Sequence, residues 1–273
     1  MNYSILMSVY HKEHPEYLKQ AIESMLNQTV KSNDFVIVCD GPLTDELYKI
    51  LDFYESNPTN QIHRLQLDKN YGLGIALNKG LEICKNELVA RMDSDDIAVT
   101  TRIEKQLKEF HKNKELTVCG SYLQEFNESV GDTSTIKKVP LSNEEIAVYL
   151  KKRNPFNHMT VMFKKSVIKD CGSYEDCYLN EDYYLWAKVI SNNYYTMNIP
   201  DVLVFMRVGN GMYDRRGGIK YIKGDFIMQR NLMTLNCINF FEFIINIFVR
   251  SLVRILPTFA RKKIYIEILR KET

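Results

Sequence analysis

The sequence predicts an α/β fold in which a mostly parallel central sheet is flanked by helices. Strand-like apolar runs alternate with helix-like amphipathic runs through roughly the first 95 residues, in the order β-α-β-α-β-α-β. The first two strand-like runs, "YSILMSVY" (3–10) and "DFVIVCDG" (34–41), are apolar almost throughout, as in strands buried inside a layered domain. Tyr10, Asp40 and Asp93 stand at the carboxyl ends of three separate runs, and open sheets of this kind bind ligands beyond those ends.

The elements follow in order. "PEYLKQAIESMLNQ" (15–28) places Leu18, Ile22, Met25 and Leu26 at helical spacing. "TDELYKILDFYE" (44–55) is a helix with Thr44 as N-cap and Leu47, Ile50, Leu51 and Tyr54 on one face. "IHRLQL" (62–67) alternates as a strand, "GLGIALNKGLEIC" (72–84) reads as a helix after a glycine turn, and "ELVARMD" (87–93) is a fourth strand. Beyond it come a helix at 101–115, a strand or hairpin at 116–127, a polar stretch at 128–143 and a short helix at 143–153. A strand at 158–163, a short helix at 164–172, a strong amphipathic helix at 180–193 and one or two strands at 196–208 complete the body. A glycine-rich loop, "GNGMYDRRGG" (209–218), precedes a helical remainder divided by Pro257.

Composition limits the function classes. The 273 residues suit one large domain or a domain with an appendage. Residues 240–273 carry seven basic and three acidic side chains, a charge of +4, so the other residues sum to −2 of the net +2. A nucleic-acid binder would carry a stronger basic bias, so nucleic acid is not the expected partner. A basic tail on a slightly acidic body points to a local anionic partner. The six cysteines form no C-x-x-C pair, which argues against zinc; the Cys171/Cys177 spacing could support a disulfide. The chain opens on a core-like strand with no signal peptide ahead of it, which predicts reduced thiols and a cytoplasmic protein. Residues 240–256, "FFEFIINIFVRSLVRIL", are apolar but interrupted by Glu242, Asn246, Arg250 and Arg254, which share one narrow face with Asn239. This is an amphipathic helix and not a membrane span.

Five features could carry chemistry. "RMDSDD" (91–96) sets Asp93, Asp95 and Asp96 within four positions, where each raises the others' pKa. Either water solvates them on a turn or a divalent cation offsets their repulsion; one carboxylate of D-x-D can hold Mg²⁺ or Mn²⁺ while its neighbour accepts a ribose hydroxyl. "GLGIALNKG" could cradle phosphate or simply turn the chain; Leu77 breaks the G-x-G-x-x-G pattern, which disfavours a dinucleotide fold. Glu181 and Asp182 of "NEDYYLW" stabilise a helix dipole, or supply a general base. Arg207, Arg215 and Arg216, among four glycines, read as a mobile lid matched to a diphosphate, or as a solvated loop. His158 reads as a hydrogen-bonding core histidine, with substrate contact as the alternative.

Taken in order, "SVY" (8–10), "AIESMLNQT" (21–29), "VIVCDG" (36–41), "NYGLGIALNKG" (70–80), "ARMDSDD" (90–96) and "NEDYYLW" (180–186) resemble the family 2 glycosyltransferases, inverting enzymes of the Rossmann-like GT-A fold. The resemblance implies a nucleotide-diphospho-sugar transferase with Tyr10 near the uracil, Asp40 on the base, Asp93 on the ribose, Asp95 on a Mn²⁺ or Mg²⁺ ion, and Asp182 as catalytic base. Glu181, His158, Arg207, Arg215 and Arg216 are then possible substrate or diphosphate contacts. Two positions depart from the family pattern: Cys39-Asp40 stands where many members have paired acids, and Leu77 where many have Arg. The "RRGG" loop lies where processive synthases carry Q-x-x-R-W, which implies single addition. The basic tail is similar to that of bacterial surface-polysaccharide transferases. It implies a lipid-diphosphate-linked saccharide acceptor, a UDP-sugar donor, and a peripheral position on the inner face of the cytoplasmic membrane through C-terminal amphipathic helices. The expected division is a catalytic domain at 1–218, with a nucleotide-sugar half (1–96) and an acceptor half (97–218), and a membrane-associating extension at 219–273.

Two rivals remain at this level. A nucleotidyltransferase on a similar fold would need a glycine- and arginine-rich phosphate loop near the N-terminus, and "SVYHKEHPE" has no glycine. A non-catalytic membrane scaffold would need none of Asp93, Asp95 and Asp182.

Overall fold

A computed structural model describes residues 1–177, 179–208 and 218–256. The first half follows the expected alternation: β1 (Tyr3–Val9), α1 (Pro15–Leu26), β2 (Phe35–Cys39), α2 (Asp45–Glu55), β3 (Ile62–Gln66), α3 (Leu73–Ile83) and β4 (Leu88–Asp93). Then come β5 (Ile97–Ala98), α4 (Arg102–Lys112), β6 (Leu116–Phe126), β7 (Ile136–Lys137), α5 (Asn143–Leu150), β8 (Met162–Lys164), α6 (Lys165–Asp170), α7 (Glu181–Ser191) and β9 (Tyr195–Arg207). Two further helices, α8 (Ile219–Thr234) and α9 (Phe240–Ile255), close the described chain. Local chemistry sets several boundaries. Pro15 begins α1, the Thr44 hydroxyl accepts the Leu47 N–H at the start of α2, and Ser142 with Glu145 forms a capping box on α5.

Among the described residues the strands form one nine-stranded sheet, ordered β3-β2-β1-β4-β8-β6-β9-β5, with β7 on β6. The pairs β3/β2, β2/β1 and β1/β4 are parallel. The chain therefore winds outward from β1 to β3 and returns to the other side of β1 as β4. That reversal makes a crevice at the carboxyl ends of β1 and β4, the switch point where such sheets bind ligands. Beyond β4 the sheet is mixed, because β8 enters antiparallel to both β4 and β6 while β6 and β9 run parallel. The region 116–126 is one long strand and not a hairpin; 195–207 is likewise one strand, paired to β6 with register shifts. The expected strand at 158–163 begins only at Met162, since His158–Thr160 form a 3-10 turn after Asn157, whose side chain bonds to the Ser121 carbonyl.

Both sheet faces are covered. Leu18, Ile22 and Met25 of α1, with Leu47 and Leu51 of α2, pack on one face. Leu77 and Leu81 of α3, with Leu185, Trp186 and Val189 of α7, pack on the other. Gly80 lets α3 lie close to the sheet: a Cβ there would come within 2.5 Å of Leu6 and 2.6 Å of Val38. The six cysteines are free thiols, Cys171 beside Asn192 and Cys177 beside Met228, so their sequence spacing does not become a disulfide. Among the described residues no helix is long and apolar enough to cross a membrane. Arg215, Arg216 and the chain from Pro257 onward lie outside the described residues.

Gly41 turns the chain immediately after β2 at φ +88°, and a Cβ would meet the Asn70 nitrogen at 2.6 Å and the Lys69 carbonyl carbon at 2.9 Å. Gly131 has a similar φ of +95° with open space around it. Gly41→Ala is expected to cost about 2 kcal/mol or more, and Gly131→Ala about 1 kcal/mol, because only the first adds a backbone clash to the left-handed strain. Urea denaturation measures both; equal losses would contradict the close approach of the 69–70 backbone.

Candidate active site

β4 ends by delivering a charge cluster into the crevice. Asp93 is its last residue, and Asp95 and Asp96 occupy the turn into β5; ligand oxygens from the three all lie within 4.8 Å of one another. Beneath them is Arg91, a β4 residue with 1% exposure. Its guanidinium pairs with both oxygens of Asp93, Nη1 donating to Oδ2 at 2.7 Å and Nη2 to Oδ1, while its Nε has no partner. Burial and the neighbouring Asp93 and Glu13 push the Asp95 carboxyl up to about 7. Burial, then Asp95 and Asp93, raise Asp96 well above the carboxylate range. Asp96 Oδ1 accepts the Arg207 N–H at 2.8 Å, and its Oδ2 is buried with no partner. An all-oxygen donor set with excess negative charge and a buried oxygen lacking a partner is the chemistry that a hard divalent cation fits.

The second group sits at the start of α7. Asp182 accepts the Tyr183 N–H and the Asn154 side-chain N–H, each at 2.7 Å. Burial raises its carboxyl, against those two hydrogen bonds and the Arg91 charge; Glu181 is raised as well, by burial above all. α7 is tied to α3 through the segment before it: Asn78 donates to the Tyr174 carbonyl at 2.7 Å and accepts the Tyr174 N–H at 2.9 Å. Gly74 lies against Tyr174 and Glu181, where a Cβ would sit 3.4 and 3.6 Å from theirs. His158 shares a 2.9 Å hydrogen bond with the Tyr174 hydroxyl, and burial with the Arg91 charge holds its pKa well below the usual value. His158 is thus a half-buried hydrogen-bonding partner of Tyr174, in surroundings that disfavour its charged form. Arg91 contacts Asp93 directly, and its charge also reaches Asp96, Tyr174, His158, Glu181 and Asp182, so the β4 cluster and the α7 carboxylates feel the same buried cation.

The remaining expected residues divide. Tyr10 follows β1 and is 40% exposed at the crevice. Asp40 follows β2, but both its oxygens are engaged by the next loop, Oδ1 by the Tyr71 N–H at 2.7 Å and Oδ2 by the Gly72 N–H at 3.0 Å. Arg207 corrects the lid reading: it is the last residue of β9 and not part of a mobile loop. Its guanidinium lies 3.8 Å from the centre of the Tyr17 ring and 4.4 Å from that of Phe126, and donates to Gln20 at 2.7 Å and to the Asp95 carbonyl at 3.1 Å. Leu77, one of the two positions that depart from the expected pattern, is fully buried in the core and offers no cation to a ligand. Cys39 is a buried thiol pushed up to about 12, and so adds no second acid beside Asp40. Arg91, Glu13, Asn154 and Tyr174 belong to the site without carrying any of the sequence motifs named above. Glu13 accepts the Ser94 hydroxyl on the cluster's rim. Arg91 had a signal: a charge inside the apolar run "ELVARM" has to find a buried partner.

The chain is similar to known proteins in sequence and in fold. The sequence profile of glycosyl transferase family 2 matches residues 4–172. The UDP-Gal:alpha-D-GlcNAc-diphosphoundecaprenol beta-1,3-galactosyltransferase of Escherichia coli is 42% identical over 98% of this chain and 97% of its own length. The amylovoran biosynthesis glycosyltransferase AmsE of Erwinia amylovora is 36% identical over 96% of this chain and 97% of its own. Among solved structures, S. aureus TarS 1–349 in complex with UDP-GlcNAc superposes with a TM-score of 0.68 at 16% identity, covering 98% of this chain and 76% of that one. A Pyrobaculum calidifontis mannosyltransferase in complex with GDP-Man and Mn²⁺ gives 0.65 at 13%, covering 92% and 69%. At these identities the two structures speak for the fold, which is the GT-A arrangement.

The raised Asp95 carboxyl has a consequence for the metal-free protein. Between its ordinary value near 4 and its folded value of about 7, the native state holds a proton that the unfolded state has released. Its contribution to stability therefore falls as pH rises through that window. In EDTA, Asp95→Asn should be close to wild type in Tm near pH 5 and more stable than wild type near pH 8. An equal Tm difference at both pH values would contradict the shift.

Proposed function

The chain belongs to glycosyl transferase family 2, and from that premise we propose that this glycosyltransferase moves a single hexose, galactose first among the candidates, from a UDP-sugar to an undecaprenyl-diphosphate-linked saccharide, forming a β-linkage in surface-polysaccharide (O-antigen or capsule) assembly. The observation that carries this reading is the acidic cluster at the carboxyl end of β4, where oxygens of Asp93, Asp95 and Asp96 lie within 4.8 Å of one another at the switch point, with Asp182 at the head of α7 within reach of the Arg91 charge. A diphosphate bound over the cluster would present its sugar towards Asp182. The 42% identity to a galactosyltransferase acting on a GlcNAc-diphosphate lipid favours galactose and that acceptor class.

In this reading residues 1–96 hold the nucleotide-sugar and 97–218 the acceptor. Tyr10 lies along the uracil. Asp40 fixes the Tyr71–Gly72 backbone beside the base, and its remaining lone pairs can accept a base N–H. Asp93, oriented by Arg91, accepts a ribose hydroxyl. Asp95, with Asp96 beside it, would hold Mn²⁺ or Mg²⁺, which when bound neutralises charge on the departing diphosphate. Asp182 takes the proton of the acceptor hydroxyl as that oxygen bonds to C1 and the C1–O bond to UDP breaks, inverting the anomeric centre in one displacement. Asn154 and the Tyr183 N–H hold the base in place, while burial keeps it proton-hungry. Glu181 beside it is positioned to bind a sugar hydroxyl. Arg207 acts by bracing the Asp95 carbonyl, and Arg215 and Arg216 remain candidate diphosphate contacts. Without the Q-x-x-R-W pattern, one sugar is added per acceptor.

Asp182→Asn should lower kcat about 10²- to 10⁴-fold, while UDP affinity in Mn²⁺ stays near wild type. The assay is UDP release from a panel of UDP-sugars with a GlcNAc-diphosphate-lipid acceptor, run in Mn²⁺ and in EDTA; release should require the metal. Turnover retained in the variant would remove the base assignment. No release from any donor would return the nucleotidyltransferase and scaffold readings.

A further inference from the structure

The turn after α5 carries Asn154, which donates to the Asp182 carboxylate at 2.7 Å. The contacts that hold this turn come from α7 and α9. The last carbonyls of a helix have no partner inside it, and three in succession where α5 ends are met by side chains from elsewhere. The Leu150 carbonyl accepts the Tyr183 hydroxyl of α7. The Lys151 carbonyl accepts the Asn246 side-chain N–H of α9 at 2.8 Å. The Lys152 carbonyl accepts Arg250 Nη2, also of α9, at 2.7 Å. Two residues later comes Asn154.

α9 is itself fixed from behind. Arg250 Nη1 and Arg254 Nε donate to the two oxygens of Asp225 on α8, at 2.7 and 2.8 Å, and that side chain is 4% exposed. Asn246 donates a second time, to the buried Gln229 of α8 at 2.8 Å. Glu242 pairs with the Lys151 ammonium at 3.1 Å. Leu150, Tyr183 and Ala187 share one apolar cluster with Met228 and Leu232 of α8 and Phe243 of α9. A cation at the carboxyl end of a helix is by itself ordinary capping. Here the capped end runs straight into the residue that orients Asp182, and Tyr183, next to Asp182 in sequence, supplies the first of the three caps.

We propose that Asn246 and Arg250 of α9 are positioning residues for the transfer reaction: they hold the 150–152 backbone, which sets Asn154 and, through it, the Asp182 carboxylate. α8 and α9 are then part of the catalytic unit, and the acceptor half of the site extends beyond residue 218. A base displaced from its working position loses rate without loss of donor affinity, so the effect is confined to kcat. The inference rests on the reading of Asp182 as base for its consequence in the reaction, and on the hydrogen bonds at 150–154 for its mechanics.

The test uses the full chain with UDP-galactose and a GlcNAc-diphosphate-lipid acceptor in Mn²⁺. Asn246→Ala and Arg250→Gln should each lower kcat about tenfold, with the KM for UDP-galactose and the affinity for UDP unchanged. Arg250→Lys keeps a cation at the position and should recover most of the loss. Asn246→Ala leaves the Asp225 pairs in place, so it still tests the claim if Arg250→Gln does not fold. Asn154→Ala should cost about as much as Asn246→Ala, and the double variant should be no slower than Asn154→Ala alone, because both changes act along one path. A double variant slowed by the product of the two, about 100-fold, would overturn the proposal, and so would a wild-type kcat in Asn246→Ala. Hydrogen exchange gives a readout that needs no turnover. In Asn246→Ala, exchange should quicken at the Arg153, Phe156 and Tyr183 amides, which bond to Tyr149, Asn154 and Asp182, and stay unchanged in β1 to β4. Faster exchange there with no transfer by any form of the enzyme would sink the functional reading and leave the coupling of α9 to the turn standing. Unchanged exchange would overturn that coupling.

Discussion

A guanidinium with almost no contact with water is costly to bury unless its charge and N–H groups are compensated, and Arg91 draws that compensation from the carboxylates of the site, Asp93 first. One strand, β4, carries both the cation and its first partner, Asp93, two residues on and on the same face of the sheet. Arg91 neutralises one carboxylate of three. Asp95 and Asp96 are left with raised affinities for protons, and the same excess of negative oxygen is what a divalent ion would satisfy. Proton and cation thus compete for one place.

The fold brings the rest of the machinery to that cation. Strand reversal around β1 opens the crevice where β4 ends, and the β2 exit contributes Asp40 and the loop it ties. α7 comes from a distant part of the sequence but is indexed to α3 by the paired bonds between Asn78 and Tyr174 and by the close pass of Gly74. Trp186, fully buried against Phe156, anchors the helix on the sheet face below. Asp182 therefore takes its position from rigid elements, which its proposed role as base requires if it is to meet a hydroxyl at bonding distance. Arg207 closes the opposite side, its backbone on Asp96 and its side chain on the Asp95 carbonyl.

Much of this was legible in the residues. Continuous apolar runs and helical periodicity placed the four parallel strands and three helices of the first half to within a few residues, because each is built from local signals. The ordered motifs, from "SVY" to "NED", carried the family. The second half was less legible for a physical reason: β8 is three residues long and joins the sheet through neighbours far away in sequence, so no local pattern announces its direction. The glycines after Arg207 suggest a loop, whereas the aromatic rings that stack on it, Tyr17 and Phe126, lie far off in sequence and leave no local signal. Helix α9 was recognised as amphipathic; its sequence could not tell which face would turn inward, since that depended on Asp225 meeting two of its arginines.

The central claim is that one crevice holds a donor diphosphate over the acidic cluster and a base, Asp182, on the far side of the sugar. Its most direct test is the anomeric configuration of the product. With UDP-α-galactose and a water-soluble GlcNAc-diphosphate acceptor, proton NMR of the purified disaccharide should show the transferred galactose as the β-anomer. An α-linked product would contradict the account, because it would mean that the hydroxyl arrives from the side the leaving group occupies and not from the side assigned to Asp182.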